Sequence, residues 1–474
     1  MKTGKVKFSE LQEVRTRLDG SYHLSEAQLV KSYLAKSPFP LVPLKDVSKR
    51  IWHAGRWKRV YVDNSNTGIT LLGSSAMLKG DLTHEKLVSK KYTDDISDKI
   101  LQAGWILISC SGTIGNCAFT NAQHAGKLAS QDVIRLLPNN ILGSGLKAGV
   151  IYAYLASKYG YVLLTQGTSS SVIQHIEPEN VETILIPQFP TSFQKEVDDL
   201  IQESARLREE AADELALAEK TLKEKAGLRD LTPDDYDYFG QHSASRRPSC
   251  FIRKASEVGA VSFNAFNHSE RIRNTLSELD SIPTIKIKDA ISNEGWVSPG
   301  GVNVVELKPG NGVMLINQSD IFDTIVKGKW VPKKDKYSAD LLKYGEILIA
   351  KIGTLGENET FCRTIFVNED LCGQLVSSAF YRISTSFQVP TGYLYCWLNS
   401  DWGFRQLRSS QFGTKLCYPN IEIMNEYKIP TLLQVDMDEI DRLVKTAHTK
   451  RHEANVKELK AISMVESEIE KWKL

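Results

Sequence analysis

The chain has 474 residues, and 59 basic against 57 acidic side chains leave a formal charge of +2. Apolar residues at 42% and charged residues at 24% match an ordinary globular chain and exclude a disordered, collagen-like or fibrous protein. The near-neutral balance also excludes a protein that holds nucleic acid by bulk positive charge, while leaving local basic patches open.

Some 40 residues precede Leu41, and Met1 to Glu10 carry lysines without the apolar core of a secretion signal. Short β-branched and aliphatic runs bounded by Gly, Asn and Ser read as strands at Gly68–Gly73, Trp105–Ser109 and Val133–Leu137, and Ala148–Tyr159 reads as a helix. From Thr191 to Lys225 there is no Pro or Gly. Apolar or small residues recur there at 197, 200, 204, 207, 211, 215, 218 and 222, the seam of a long helix that needs a partner helix. Thr191 with Gln194 offers a capping box, and Gly227 and Pro233 mark the end.

The second half repeats the first. Gly68-Ile69-Thr70-Leu71-Leu72 pairs with Gly312-Val313-Met314-Leu315-Ile316. Gly104-Trp105-Ile106-Leu107-Ile108 and the following Gly112-Thr113-Ile114-Gly115 pair with Gly345-Glu346-Ile347-Leu348-Ile349 and Gly353-Thr354-Leu355-Gly356. Gly149-Val150-Ile151-Tyr152, with Ser157 and Gly160, pairs with Gly392-Tyr393-Leu394-Tyr395, with Ser400 and Gly403, and each half closes on Ile-Pro at 186–187 and 429–430. The displacement stays between 241 and 244 residues, from Gly104 to Gly345 at one extreme and Gly68 to Gly312 at the other, which indicates one long unit written twice. A helix predicted over Thr391–Trp402 matches Ala148–Tyr159, and a second long helix starts near Asp436. Its stripe is Ile440, Leu443, Val444 and Ala447, resuming at Leu459, Ile462, Val465, Ile469 and Trp472. Each long helix of about 35 residues spans roughly 50 Å. The expected architecture is α+β: two tandem repeats, each a globular domain followed by a long helix. The two helices pack as an antiparallel coiled coil with pseudo-two-fold symmetry. The expected boundaries are 1–190 for the first domain with its N-terminal extension, 191–228 for the central helix, 229–433 for the second domain and 434–474 for the last helix.

Catalytic patterns are missing. There is no GxxxxGK[ST] phosphate loop, no Asp/Asn-Pro-Pro-aromatic tetrapeptide, no HExxH and no Gly-rich cofactor loop after a strand. Seven scattered cysteines form no CxxC pair, which argues against a disulfide framework or thiolate metal site and points to a reducing cytoplasmic compartment. Cys117 and Cys417 read as buried or inert thiols. His448 and His452 have a metal-compatible spacing, but Lys450 and Arg451 between them favour a solvated or partner-facing surface, and no metal site is expected. The longest apolar runs are too short to span a membrane.

Charge is sorted along the chain. Lys45–Lys91 holds ten basic against four acidic residues, and includes Arg56, Trp57, Lys58 and Arg59. Lys327–Lys343 holds six lysines against two aspartates, among them Lys327, Lys329, Lys333 and Lys334. The helical stretch Lys195–Lys225 is acidic, ten against six. Basic patches with interleaved aromatics suit phosphates, while amide and guanidinium groups read base edges. Arg56, Asn317, Gln318 and Gln411 are candidates for base reading, and Ser74, Thr113 and Lys351 for further DNA contacts. The Gly-Thr loops at Gly167–Ser171, with Thr168 and Ser169, and at Phe412–Lys415, with Thr414 and Lys415, are candidates for phosphate contact.

The duplicated order of these motifs resembles the specificity subunits (HsdS) of type I restriction-modification systems. The resemblance implies that each globular unit is a target recognition domain reading one half of a split, asymmetric DNA site, with tracts about 34 Å apart. It also implies that the long helices set the gap and dock two modification subunits (HsdM), joined by restriction subunits (HsdR). Leu200, Leu207, Leu215, Leu443, Leu459 and Ile462 are candidates for the partner-binding helical surface. The chain itself would be non-catalytic and bind no cofactor; S-adenosylmethionine, ATP and Mg would belong to the partners. The alternatives are a recognition subunit of a modification-only or phage-defence assembly, and a structural adaptor between proteins.

Overall fold

The computed structural model describes residues 23, 25–62, 64–139, 145–166, 175–232, 235, 250–258, 261–302, 304–413 and 415–473. They form two compact units, one of residues 1–209 with 453–474 and one of residues 210–452.

In the first unit the central sheet runs Ser48–His53, Val133–Pro138, Ile106–Ser109, Cys117–Phe119, all antiparallel. Ile106–Ser109 is buried at every position, so its sequence lacks the polar alternation of a half-solvated strand. Its side chains still separate with period two. Ile106 and Ile108 join the core beneath the helices, while Leu107 faces a second core with Trp52, Trp105 and Val133. A smaller sheet orders Tyr61–Val62, Leu87–Ser89, Gly68–Leu72 and Leu128–Ala129, the last pair parallel. Leu41–Pro43 pairs with Leu185–Pro187 and closes the domain.

The second unit repeats the inner pairings, with three-stranded sheets where the first has four-stranded ones. Ile347–Ala350 lies between Thr364–Phe366 and Phe380–Ile383, Val313–Ile316 pairs in parallel with Leu375–Val376, and Thr284–Lys286 pairs with Lys428–Pro430. Ile347 and Ile349 face one core, Leu348 and Ala350 another.

The single helices expected at Ala148–Tyr159 and Thr391–Trp402 are each broken in two. They form Ala148–Ala156 and Lys158–Leu164 in the first unit, Thr391–Asn399 and Asp401–Ser409 in the second. The break is written in Ser157 and Ser400, whose hydroxyls cap the second helix by accepting the N–H of Gly160 and Gly403 at 3.1 and 3.3 Å. A side chain at Gly160 would stand 2.1 Å from the Tyr154 carbonyl, and at Gly403 2.0 Å from that of Trp397, so only glycine permits the corner.

The predicted long helices are present as Thr191–Ala226 and Gln434–Glu470, and they pack together. Within the first unit, Val197, Ile201 and Ala205 share a core with Ala461, Val465, Ile469 and Trp472. Ser204 donates to the Ala454 carbonyl at 2.8 Å, and Arg208 pairs with Glu458. Within the second unit, Ala218 and Leu222 meet Met437, Ile440, Leu443 and Val444, flanked by Lys225–Asp436 at 2.8 Å and Lys450–Glu210 at 3.1 Å. The first long helix ends as expected. Gly227 is left-handed, and the bonds from the Leu228 N–H to the Lys223 carbonyl and from the Gly227 N–H to the Glu224 carbonyl make a Schellman cap. Its start differs from the expected capping box: Gln194 donates to the Phe189 carbonyl at 2.7 Å and accepts the Lys147 N–H at 3.3 Å, tying the helix to the domain. Pro233 lies outside the described residues. No described helix is long and apolar enough to cross a membrane.

Each long helix also grips its domain by a carboxylate. Asp198 accepts the Gly149 N–H at 2.8 Å, and Asp441 accepts that of Gly392 at 2.7 Å. The two glycines allow contact that a side chain would prevent, since a Cβ would lie 2.8 and 2.9 Å from the aspartate Cα atoms.

Two buried groups give tests. Arg382 spans both oxygens of Glu346 at 2.8 and 2.9 Å, with both side chains almost fully buried. Arg382→Leu strands that carboxylate and is expected to destabilise the second unit by about 3–5 kcal/mol in urea unfolding. His448, expected on a solvated or partner-facing surface, is instead buried, stacked on Phe366 with ring centroids 4.7 Å apart. Burial, reinforced by Arg451, holds its pKa well below 6.5. The unfolded chain gains a proton below about pH 6.5 that the native histidine refuses. Stability is therefore complete above that pH and falls below it by roughly 1.4 kcal/mol per pH unit. His448→Leu should flatten that acid-side fall in the urea midpoint.

Candidate nucleic-acid interface

In the first unit the aromatic-basic stretch leaves the sheet after His53 and runs to the strand Tyr61–Val62. The structure divides its cations. Arg56 and Lys58 are exposed and have no ion-pair or hydrogen-bond partner among the described residues. Arg59 is half-buried and turned inward, donating to Gln131 and lying 3.5 Å from the Asp132 carboxylate. Trp57 is half-buried between two cations, with Arg59 5.4 Å and Lys99 5.1 Å from its ring. It buttresses the loop and is not an open stacking platform.

Residues around Asp132 gather the other candidates of this unit. Ser74 donates to the carbonyls of Ser111 at 2.9 Å and Asp132 at 3.1 Å, so its hydroxyl joins two turns. Thr113 is exposed in the next turn, between Gly112 and Gly115, both left-handed. Thr168 and Ser169 lie outside the described residues.

In the second unit Lys327, Lys329, Lys333 and Lys334 are exposed along the strand Lys329–Val331 and its flanks, with Lys329 3.9 Å from Glu306. Asn317 is exposed, its amide 3.5 Å from Asp320. Gln318 is committed internally, donating to the Ile352 carbonyl at 2.7 Å and Thr360 Oγ1 at 2.9 Å. Gln411 is buried on the Gln411–Phe412 strand, where its carbonyl accepts from Asn267 at 2.9 Å. The Gln318 amide thus ties two loops together, and the Gln411 side chain is enclosed with its Oε1 buried, so neither expected base-reading amide is presented at the surface. Lys351 is half-buried, bonded to Ser298 and 4.8 Å from the Tyr381 ring, and burial lowers its pKa. Lys415 is exposed in the turn after Gly413, and the adjoining Cys417 pairs backbone to backbone with Gly353. Thr414 lies outside the described residues.

Among the helical candidates, Leu207 and Leu443 are buried within their own units, Leu200, Leu215 and Ile462 are half-buried, and Leu459 is half-exposed. All seven cysteines are free. Cys417 is buried while Cys117 is half-buried, and burial raises the thiols of Cys362 and Cys396. One cluster escaped the sequence reading: His53, His175 and Glu177 bring metal-ligating atoms within 4.8 Å of one another. His53 and His175 stand far apart along the chain, so no spacing rule could pair them.

Residues 36–201 match the family model of the type I restriction modification DNA specificity domain. No curated protein matches the chain. Among solved structures, the chain is similar to the type I restriction-modification S subunit from M. genitalium, at 12% identity over 92% of this chain and 96% of that one, TM-score 0.34. It is also similar to the HsdS subunit from Thermoanaerobacter tengcongensis, at 11% identity over 92% and 96%, TM-score 0.28.

The division of cations in the first unit is testable. Replacing Arg56 and Lys58 together by Ala should reduce the slope of log affinity against log salt by about two, leaving stability intact. Arg59→Ala should lower the melting temperature while changing that slope little.

Proposed function

We propose that this chain is the DNA-recognition subunit of a type I restriction-modification complex, reading an asymmetric bipartite site. The observation that carries the reading is the specificity-domain match over residues 36–201, together with the recurrence of the same strand pairings, helix break and Asp–Gly contact in the second unit. On this reading residues 1–190 and 229–433 are two target recognition domains of different sequence. Helices 191–228 and 434–474 form an antiparallel coiled coil that spaces them about a pseudo-two-fold axis. The exposed Arg56, Lys58, Lys327, Lys333, Lys334 and Lys415 neutralise phosphates, and Asn317 and Thr113 are the exposed polar candidates for closer contact.

Chemistry on the DNA is assigned to partner chains: two modification subunits using S-adenosylmethionine to methylate adenine, and restriction subunits using ATP and Mg. Leu459, the most exposed of the helical candidates, is the strongest for subunit docking. The complex would act in the cytoplasm, where double-stranded DNA is accessible.

Mapping adenine methylation in the host with and without the gene tests the reading. One split motif should vanish on deletion, and replacing residues 229–433 by another recognition domain should change one tract of that motif alone. Methylation that is unchanged by deletion would refute the assignment.

A further inference from the structure

The strand Ser48–His53 delivers His53 to the place where residues 175–177 return to the first unit. His53 Nε2 lies 3.5 Å from one carboxylate oxygen of Glu177, and His175 Nε2 lies 3.5 Å from the other. A charge-assisted N–H···O bond would be about 2.7–2.9 Å, so both approaches are too long for that. Taking one donor atom from each residue, the three lie within 4.8 Å of one another, a spread that small side-chain rotations close to the separation of about 3.4 Å between neighbouring ligands around a tetrahedral zinc with bonds of about 2.0–2.1 Å.

The proton positions agree. His53 Nδ1 lies 3.0 Å from the Ala54 carbonyl oxygen, which can only accept, so Nδ1 carries the hydrogen. In the neutral ring, Nε2 then presents its lone pair toward Glu177, the arrangement that an outer hydrogen bond imposes on metal-binding histidines. The two imidazoles cross at 73° with centroids 6.3 Å apart, so their Nε2 atoms converge without stacking. The backbone is fixed on both sides of the site: His175 bridges to Ser111, and the Ile176 N–H donates to the Cys110 carbonyl at 3.0 Å over a buried Ile176 side chain. Side-chain exposures of 30%, 38% and 53% for His53, His175 and Glu177 leave a path for an ion and an open side.

We propose that His53, His175 and Glu177 form a binding site for one divalent transition-metal ion of the zinc class. Two imidazoles and a carboxylate suit zinc better than magnesium or calcium, which prefer all-oxygen shells. The fourth position faces solvent and takes water or an external oxygen ligand. The ion fastens the end of the Ser48–His53 strand, just before the Arg56–Arg59 loop, to the start of the short helix Pro178–Glu182. The proposal rests on the geometry of the first unit and is independent of the DNA-reading assignment.

The test uses the whole chain without an affinity tag, stripped with a chelator and titrated with zinc against a chromophoric chelator. One equivalent should bind, cobalt(II) in its place should give the visible absorption of a tetrahedral complex, and zinc should raise the melting temperature. His175→Ala and the isosteric Glu177→Gln should each weaken uptake by about 10-fold or more and abolish the melting shift. Because both residues are partly exposed, the metal-free variants should melt with the wild type, and Glu177→Gln guards against loss of fold in the alanine variant. Failure of the wild type to compete for zinc, or uptake by either variant equal to that of the wild type, would overturn the site.

Discussion

A carboxylate on a long helix taking an N–H from the first turn of a short helix is the contact on which the rest of each unit depends. Asp198 meets Gly149 and Asp441 meets Gly392, both bonds below 3 Å and both at a glycine that lets the helices touch. The short helix is fixed below the central sheet, so the same bond sets where the sheet and its loops stand along the long helix. A shift of one helical turn would break that bond and misalign Ser204 with Ala454, or Lys225 with Asp436. The helices therefore act as a ruler for each domain as well as a place to hide apolar surface.

Much of this was legible in the sequence because it is carried by periodicity and by glycine. The long helices followed from seams at three- and four-residue steps, and Val197, Ser204, Leu207, Ala211, Ala218 and Leu222 are all buried. Gly227 ended the first helix for the reason it was singled out, its left-handed backbone. The helix breaks at Ser157 and Ser400 were visible as paired residues of the repeat, yet their meaning was lost. An apolar run such as Ala148–Tyr159 has the same composition whether it is continuous or cut, and only the contact of Gly160 with the Tyr154 carbonyl distinguishes the two.

Side-chain destinations were less legible. Gln318 and Gln411 look like base-reading amides by type, but burial commits one to a neighbouring loop and encloses the other. Arg59 and Lys58 are adjacent and chemically alike; tertiary structure turns one toward Asp132 and leaves the other in water. His448 lies between charged neighbours in sequence, but the helical turn presents it to Phe366 and Tyr395. Local composition cannot anticipate which face of an element a core will claim.

The buried arginines of the two central sheets differ in how far along the chain each finds its counterpart. Arg382, opposite Leu348, answers to Glu346, whereas Arg135, opposite Leu107, is bonded to no carboxylate among the described residues and donates to the carbonyls of Ala129 and Val133. Desolvation draws Arg135 down to about 10, only partly opposed by the Asp98 charge. The charge in one sheet is thus balanced by a side chain two strands' worth of sequence away, and in the other by the peptide groups of its own turn. A crossover falling between Glu346 and Arg382 would separate a buried acid from its base, while a cut ahead of Ala129 in the first half would leave Arg135 with its own acceptors and part only the more exposed Arg59 from Asp132 and Ser74 from the Asp132 carbonyl. The buried cation of the second sheet therefore has to be inherited together with its distant acid, whereas that of the first travels with its own turn.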